Sequence, residues 1–399
     1  MIKPALLKYA FYIFLIGCAM LHATHFLKFN YHSPIDFRNV YLGAKIWLNQ
    51  ANPYDDATLK AEWQKVCDEE QIINEHPPGL PQNFLVYPPS ALLVYLPFSM
   101  LSWKWAAWIN LIMCVAALGI IIYLVNRLFN NAQLSIAFTT LVVLAYKGTF
   151  HALLVGQPTF IFLAMAFSAL WLSMRGKHIP AAILLGMALS KPTLALPVMI
   201  VLLIKREYNL LIFATIIQIT LVIAAILLHN NRWELLQFFN QNIQMLMHQV
   251  YALGDVYYMR TLTDVGVWLN YLNAEYFVWW QWVMRGMLAM AVAYLYVKKI
   301  PINPVTYSVI TLIVLLTSYH LFYDVLLLLP IVFVAINTDF KYKVVLAIIS
   351  CPLFIPINGI LDRTAWGHQF PIIYLHLPIV LAAILICLMM QWRISDARL

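Results

Sequence analysis

The chain has 399 residues, 63% of them hydrophobic, 14% aromatic and only 11% charged, with a mean hydropathy of +0.78. A soluble domain carries about 25% charged residues, so an ordinary globular protein is excluded, and the recurrence of apolar runs of roughly 18 residues or more names the bilayer as the solvent. The net charge of +8 comes from lysines and arginines scattered in ones and twos between those runs, which is a topology signal and not a nucleic-acid-binding stripe.

Lys3 and Lys8 precede an apolar run from Tyr9 to about Leu27 that has no small-residue cleavage site. This predicts a retained first span with its N-terminus inside. The polar segment 28–86 then becomes a first outside loop. Near its start Phe37, Val40, Tyr41, Ala44, Trp47 and Leu48 recur at helical spacing, with Arg38, Asn39, Lys45 and Asn49 between them. That pattern predicts an amphipathic helix lying on the outer membrane surface. Asp36 at its start has two readings. With Ser33 as N-cap and Pro34 at the first helical position it only caps the helix; at the membrane edge it can deprotonate a hydroxyl presented to a lipid-anchored reactant.

Four apolar stretches follow, at 88–101, 105–125, 134–146 and 153–174. Four simple crossings would put Arg175 and Lys177 outside, against the bias of basic residues to the inside, so one of the four is predicted to be re-entrant or half-length. Segments 179–190 and 192–204 read as two short helices meeting near the outer face at Ser190-Lys191-Pro192. Further spans are predicted at 208–228, 277–297, 305–317, 325–336, 344–360 and 372–391, with a second large outside loop at 229–275. The expectation is an all-α, polytopic integral membrane protein of about 11 to 13 transmembrane helices, a single domain over 1–399. Most of its 17 carboxylates then face outside, eight of them between Asp36 and Glu75, so acid–base chemistry is expected on that face.

Candidate groups are few. A lysine between two short apolar helices is costly at membrane depth and marks a pathway or a ligand, which makes Lys191 a candidate for phosphate. Gly156-Gln157-Pro158 breaks a span and frees backbone groups that something must satisfy; Gln157 could bond sugar hydroxyls. The segment 318–324 brings His320, Tyr323 and Asp324 within two helical turns, with His320 a donor to phosphate or an alternative base, and Asp324 orienting sugar or a basic partner. Arg38 is an attractive phosphate partner placed on the polar face of the surface helix, where a headgroup contact competes. Tyr251, Asp255, Tyr257, Tyr258, Arg260, Asp264 and Trp268 in the second loop suit sugar rings, as do Asp362, Arg363, Trp366 and His368 near the end. His22 and His25 lack a third ligand, and the five cysteines have no metal or disulfide spacing, so no metal is expected.

Six short pieces in order carry a resemblance: Asp36-Phe37 with Tyr41 and Ala44; Asn52-Pro53-Tyr54-Asp55; Tyr87-Pro88-Pro89 with Pro97; Gly156-Gln157; Gly186 followed by Ser190-Lys191-Pro192; and Ser318-Tyr319 with Tyr323-Asp324. Together they resemble the polyprenyl-phosphate-mannose-dependent α-mannosyltransferases of glycosyltransferase family 87, in the C-type glycosyltransferase superfamily. The sequence departs from the pattern in lacking the glycine usual before Asn-Pro-Tyr, and in having Thr159 where Asn often follows Gly-Gln. The resemblance implies the C-type fold and an inverting transfer of a sugar, mannose by analogy, from a polyprenyl phosphate to a hydroxyl of a glycan or glycolipid. Asp36 would be the general base, Lys191 and His320 the phosphate partners, and Asp324, Gln157, Tyr41, Tyr323 and Arg38 further substrate contacts. The donor is a lipid-linked substrate, so no cofactor is expected, and the partners are that donor, the acceptor and membrane lipids, without nucleic acid. The implied location is a bacterial inner membrane with the site on the periplasmic side. Two rival readings are a transporter or flippase for lipid-linked sugars, which would want paired repeats and midplane charges, and a glycan polymerase or ligase.

Overall fold

The structure, a computed structural model, describes residues 4–28, 34–72, 85–129, 135–247, 262–263, 266, 277–299, 301–318, 320–337, 340–355, 357 and 376–396. The candidate loop residues Tyr251, Asp255, Tyr257, Tyr258, Arg260, Asp264 and Trp268, with Ser33, Tyr319, Asp362, Arg363, Trp366 and His368, lie outside them.

The helices are α1 (Pro4–Lys28), α2 (Ile35–Leu48), α3 (Asp56–Glu70), α4 (Pro89–Ser99), α5 (Trp103–Phe129), α6 (Ile136–Ala145), α7 (Lys147–Leu154), α8 (Thr159–Met174), α9 (His178–Ala188), α10 (Pro192–Ile204), α11 (Tyr208–Leu227) and α12 (Arg232–Met247). After them come α13 (Phe277–Val297), α14 (Pro304–Thr317), a 3-10 segment (Phe322–Leu328), α15 (Ile331–Asn337), α16 (Phe340–Ser350) and α17 (His376–Asp396). The protein is all-helical among the described residues, apart from a single β-bridge between Leu262 and Leu321.

Three helices, Tyr9–Leu27, Trp103–Phe129 and Tyr208–Leu227, are long and apolar enough to cross a bilayer. A fourth candidate is the pair α6 and α7, bent by 68°. Among the described residues eight further apolar stretches have 10–17 residues; two of them belong to the 21-residue helices α13 and α17, and the others are shorter than the roughly 20 that a simple crossing takes. The expectation of a polytopic all-helical membrane protein with about 11 to 13 helices agrees with these apolar elements. Proline explains much of the shortness. Pro89 and Pro192 stand in the first turns of α4 and α10, where a missing N–H costs nothing, and Pro158 starts α8 afresh after α7.

The surface-helix expectation for α2 is half right. Its apolar face packs on α4 and on Trp103, with Phe37 stacked 5.6 Å from the Trp103 ring. Its polar face, however, is covered by α3: Arg38 is 2% exposed and lies 4.8 Å over the Trp63 ring, and Lys45 pairs with Glu62 at 3.6 Å. Trp47 donates to the Ala225 carbonyl of α11 at 2.9 Å. The helix is held inside a cap made of α2, α3 and α4.

The same hydrogen bonds identify the half-length element. Tyr54 donates to the Tyr87 carbonyl before α4, Tyr41 to the Leu101 carbonyl after it, and Glu70 at the end of α3 accepts the N–H groups of Trp103 and Lys104 that open α5. Both ends of α4 thus lie at the face that carries α2 and α3, and α4 does not cross. With α5 leading away from that face, α6 and α7 returning, and α8 leading away again, Arg175 and Lys177 fall on the opposite face. There they join Lys205, Arg206 and Lys299, and the last three line one shallow cavity with the far ends of α5 and α8. Cysteines placed at Arg127 and Lys177 should label from the same side as one at Lys205, and a cysteine at Gln50 from the other. Labelling of 127 and 177 from the same side as Gln50 would restore a crossing for α4 and overturn this path.

Gly156 joins α7 to α8 at φ +65°, and a Cβ there would stand 2.7 Å from the Cβ atoms of both Pro34 and Phe37. Only glycine serves both needs. Gly156→Ala should cost roughly 1–3 kcal/mol from backbone strain alone and push α2 off the junction, read as a lower thermal midpoint in detergent.

Candidate active site

The α7–α8 junction is also where α2 begins. The backbone N–H groups of Asp36 and Phe37 donate to the Val155 carbonyl at 2.9 and 3.3 Å. This backbone contact, not a side-chain cap, positions Asp36: α2 is preceded by Pro34 with no capping side chain, and the Asp36 carboxylate turns away from its own helix. Oδ2 accepts from Gln157 Nε2 at 2.7 Å. The helix-cap reading of Asp36 is therefore set aside.

Gln157 is 3% exposed and all four of its amide hydrogen-bonding positions are filled. Nε2 donates to Asp36 and to the Tyr323 hydroxyl at 2.6 Å, while Oε1 accepts from Tyr87 at 2.6 Å and from Lys191 Nζ at 3.3 Å. Because a carboxylate only accepts and an ammonium only donates, these partners also fix which way the amide faces. Its hydrogen bonds are committed to protein, and it orients the carboxylate.

Lys191, at the sharp turn between α9 and α10, donates to Thr159 Oγ1 at 2.6 Å and faces Asp324 Oδ1 at 3.6 Å. Its Nζ also sits 5.3 Å over the Tyr323 ring. Asp324 in turn accepts from Thr159 at 3.2 Å and from the Leu321 N–H at 3.2 Å, and its Oδ2 meets His320 Nδ1 at 3.2 Å. His320 is fully buried, with no hydrogen-bond partner at Nε2 among the described residues, and its carbonyl accepts from Thr263 N at 3.1 Å. One connected network therefore runs from Asp36 through Gln157 and Lys191 to Asp324 and His320.

Five of the residues singled out from sequence, Asp36, Gln157, Lys191, Tyr323 and Asp324, meet at this point, with His320 behind them. Tyr41 does not: it is fully buried, packs 5.2 Å from the Trp103 ring and bonds the Leu101 carbonyl at 2.9 Å. Arg38 packs under the Trp63 ring. Tyr87 and Thr159 were missed as site residues. Tyr87 stood in the Tyr-Pro-Pro piece, read there only as a helix start, and Thr159 was noted only as a departure from a pattern, although its hydroxyl links Lys191 to Asp324.

Asp36 lies in the cap, outside the membrane-spanning segments. Burial pushes its carboxyl from 3.8 up to about 6, while Lys191 and the Gln157 amide hold it from rising further. A carboxyl raised in the folded state favours its protonated form, so the stability tied to this group is present at low pH and is lost as pH climbs from 3.8 through about 6. Asp36→Asn should accordingly raise the thermal midpoint at pH 8 and have little effect at about pH 4; equal effects at both would show that the carboxylate carries no burial cost.

The family model for glycosyltransferase family 87 matches residues 84–322. Tyr87, Gln157, Thr159, Lys191 and His320 fall within the match, Asp36 precedes it, and Tyr323 and Asp324 follow directly after it. No curated protein and no solved structure matches the chain. The match covers more than half of the residues and all the helices from α4 to α14, and the chain belongs to glycosyltransferase family 87, a multi-pass membrane glycosyltransferase that works on a sugar donor and an acceptor.

Proposed function

We propose that the protein transfers a sugar, mannose by resemblance, from a polyprenyl-phosphate donor to a hydroxyl of a glycan or glycolipid, with inversion and with Asp36 as general base. The observation that carries this reading is the half-buried Asp36 carboxylate. Oδ2 is fixed by Gln157, and Oδ1 takes no hydrogen bond from the described residues. An acceptor hydroxyl at Oδ1 loses its proton to the carboxylate as its oxygen forms a bond to the anomeric carbon. On the opposite side of that carbon, the bond to the phosphate oxygen breaks and the lipid phosphate leaves with the electron pair. A base with a pKa near the working pH is the efficient choice, and the shift to about 6 brings Asp36 into that range.

Lys191 serves that base. Its charge favours the ionised form of Asp36, and its bonds to Gln157 and Thr159 brace the amide that holds the carboxylate. Tyr323 completes the wall beside the reacting atoms. The basic residues Arg175, Lys177, Lys205 and Arg206 lie at the opposite face, and the bias of such residues toward the cytoplasm argues for a site on the outer side, which in a bacterial inner membrane is the periplasmic one. The whole chain acts as one unit in this reading, because the network joins side chains 121 and 166 positions apart.

The test is transfer of labelled mannose from polyprenyl-phosphate mannose in membranes. Asp36→Asn should lower the rate by roughly 10²–10⁴-fold with insertion intact; undiminished transfer would remove Asp36 from the chemistry, and no transfer by either form would remove the donor. The wild-type rate should fall on acidification with a midpoint at about pH 6. In Lys191→Met, which removes the neighbouring positive charge, that midpoint should move upward; a downward move or no move would sink the pairing of the two groups.

A further inference from the structure

Between α1, α6, α15 and α16 lies a cavity of about 740 Å³, within the 300–1,000 Å³ range of small-ligand sites. Its wall is apolar apart from Tyr12, Tyr146, Lys343 and Ser350. Phe14, Val142, Val332 and Leu346 line it, as do Ala10 and Lys343. Tyr146, Val325 and Phe354 belong to the same wall, and the Tyr146 hydroxyl bonds the Phe322 carbonyl beside Tyr323. Next to Tyr146 the chain holds basic groups that the network described above does not use. Lys147 follows Tyr146 directly and lies 5.8 Å over the Phe322 ring. His151, one turn on, packs 4.8 Å from Phe322 and nearly parallel to Tyr323 at 6.4 Å. Neither the Lys147 nor the His151 side chain makes a hydrogen bond or ion pair with any described residue, and the titratable neighbours acting on them are basic as well, His22 and His25. His22 reaches the cavity rim through its bond to the Phe354 carbonyl at 2.9 Å.

Lys191 offers nothing comparable. An ammonium has three donor hydrogens, and those of Lys191 face Thr159, Gln157 and Asp324. Basic side chains without an anionic partner among the described residues, adjoining Tyr146 in the wall of an apolar cavity, fit a ligand with a negative head and a hydrocarbon tail.

Resting on the function proposed above, we infer that Lys147 and His151 bind the phosphate of the lipid-linked donor while the start of its isoprenoid chain fills the cavity between α1, α6, α15 and α16. The distance to the chemistry suits this. Val155, whose carbonyl holds the Asp36 N–H, is one helical turn beyond His151, and Tyr323 touches both the His151 ring and the Gln157 amide that orients Asp36.

The test is capture of a photoreactive polyprenyl phosphate without sugar by the purified full chain, so that binding is read apart from transfer. The wild type should be captured with cross-links in α1 or α6, and excess polyprenyl phosphate should compete while neutral polyprenol should not. Lys147→Ala should lower capture by roughly tenfold or more, the scale of a lost charged hydrogen bond, Lys147→Arg should recover part of it, and Val142→Trp, which fills the cavity without touching the basic groups, should also lower it. In the transfer assay Lys147→Ala should raise the KM for donor and leave the KM for acceptor in place. Unchanged capture by Lys147→Ala and His151→Ala, or equal competition by polyprenol, would overturn the phosphate site. Competition by phosphatidylglycerol as strong as by polyprenyl phosphate would assign the pocket to a bilayer lipid and overturn it as a donor site. A wild type that captures no polyprenyl phosphate at all would instead refute the donor on which the proposed function rests.

Discussion

The structure is organised around an ammonium group shared by two carboxylates in a nonaqueous setting. Lys191 faces Asp324 at 3.6 Å and acts electrostatically on Asp36, with Thr159 and Gln157 accepting its remaining hydrogens. Isolating any of these charges in such surroundings would cost several kcal/mol, so each constrains where the others can be. The lysine comes from the turn between α9 and α10, one carboxylate from the cap and the other from the 3-10 segment after α14. Three regions distant in sequence are thereby brought to one point, and the Gln157 amide and the Thr159 hydroxyl, both at the α7–α8 junction, each donate to one carboxylate and accept from the ammonium.

That arrangement accounts for features that otherwise look like defects. The break at Gly156-Gln157-Pro158 leaves backbone groups without helical partners, and the junction's neighbours answer them. Val155 and Gly156 offer carbonyls to the Asp36 N–H and the Asn110 amide, and the Gln157 carbonyl faces the Cys114 thiol. The shortness of α9 and α10 ends both at the depth where Lys191 is required. The cap formed by α2, α3 and α4 excludes water from one side of the carboxylate, which is why Asp36 titrates near 6 and not near 4.

Much of this was legible in the sequence and some of it was not, for identifiable reasons. Composition and apolar runs disclosed a helical membrane protein, and scarcity made the polar residues conspicuous: a lone lysine between two short apolar segments, or Gly-Gln-Pro inside one, stands out because such groups are costly there. Periodicity found α2 but misjudged its polar face, since Arg38 and Lys45 look solvated until α3 is laid across them. Tyr41 matched a motif yet points into the core, because hydroxyl-bearing residues at a helical spacing do not reveal which face is turned to the site. The crossing parity depended on α4, whose composition is that of a span; only hydrogen bonds at both its ends, to Tyr41, Tyr54 and their neighbours, show that it stays at one face. Thr159 and Tyr87 gave weak signals because their importance lies in what they touch.

The backbone bond between Asp36 and Val155 has a consequence for how the protein is made. Asp36 and its partner Gln157 are 121 residues apart, so at a synthesis rate of about 5–20 residues per second Asp36 emerges many seconds before the groups that will hold it. During that interval α2 has neither the α7–α8 junction nor α5 to pack on. An amphipathic helix next to a membrane can rest on the lipid surface with its apolar face down. The apolar stripe that the finished protein buries against Phe98 and Trp103 is the same face that an unpartnered α2 would turn to lipid.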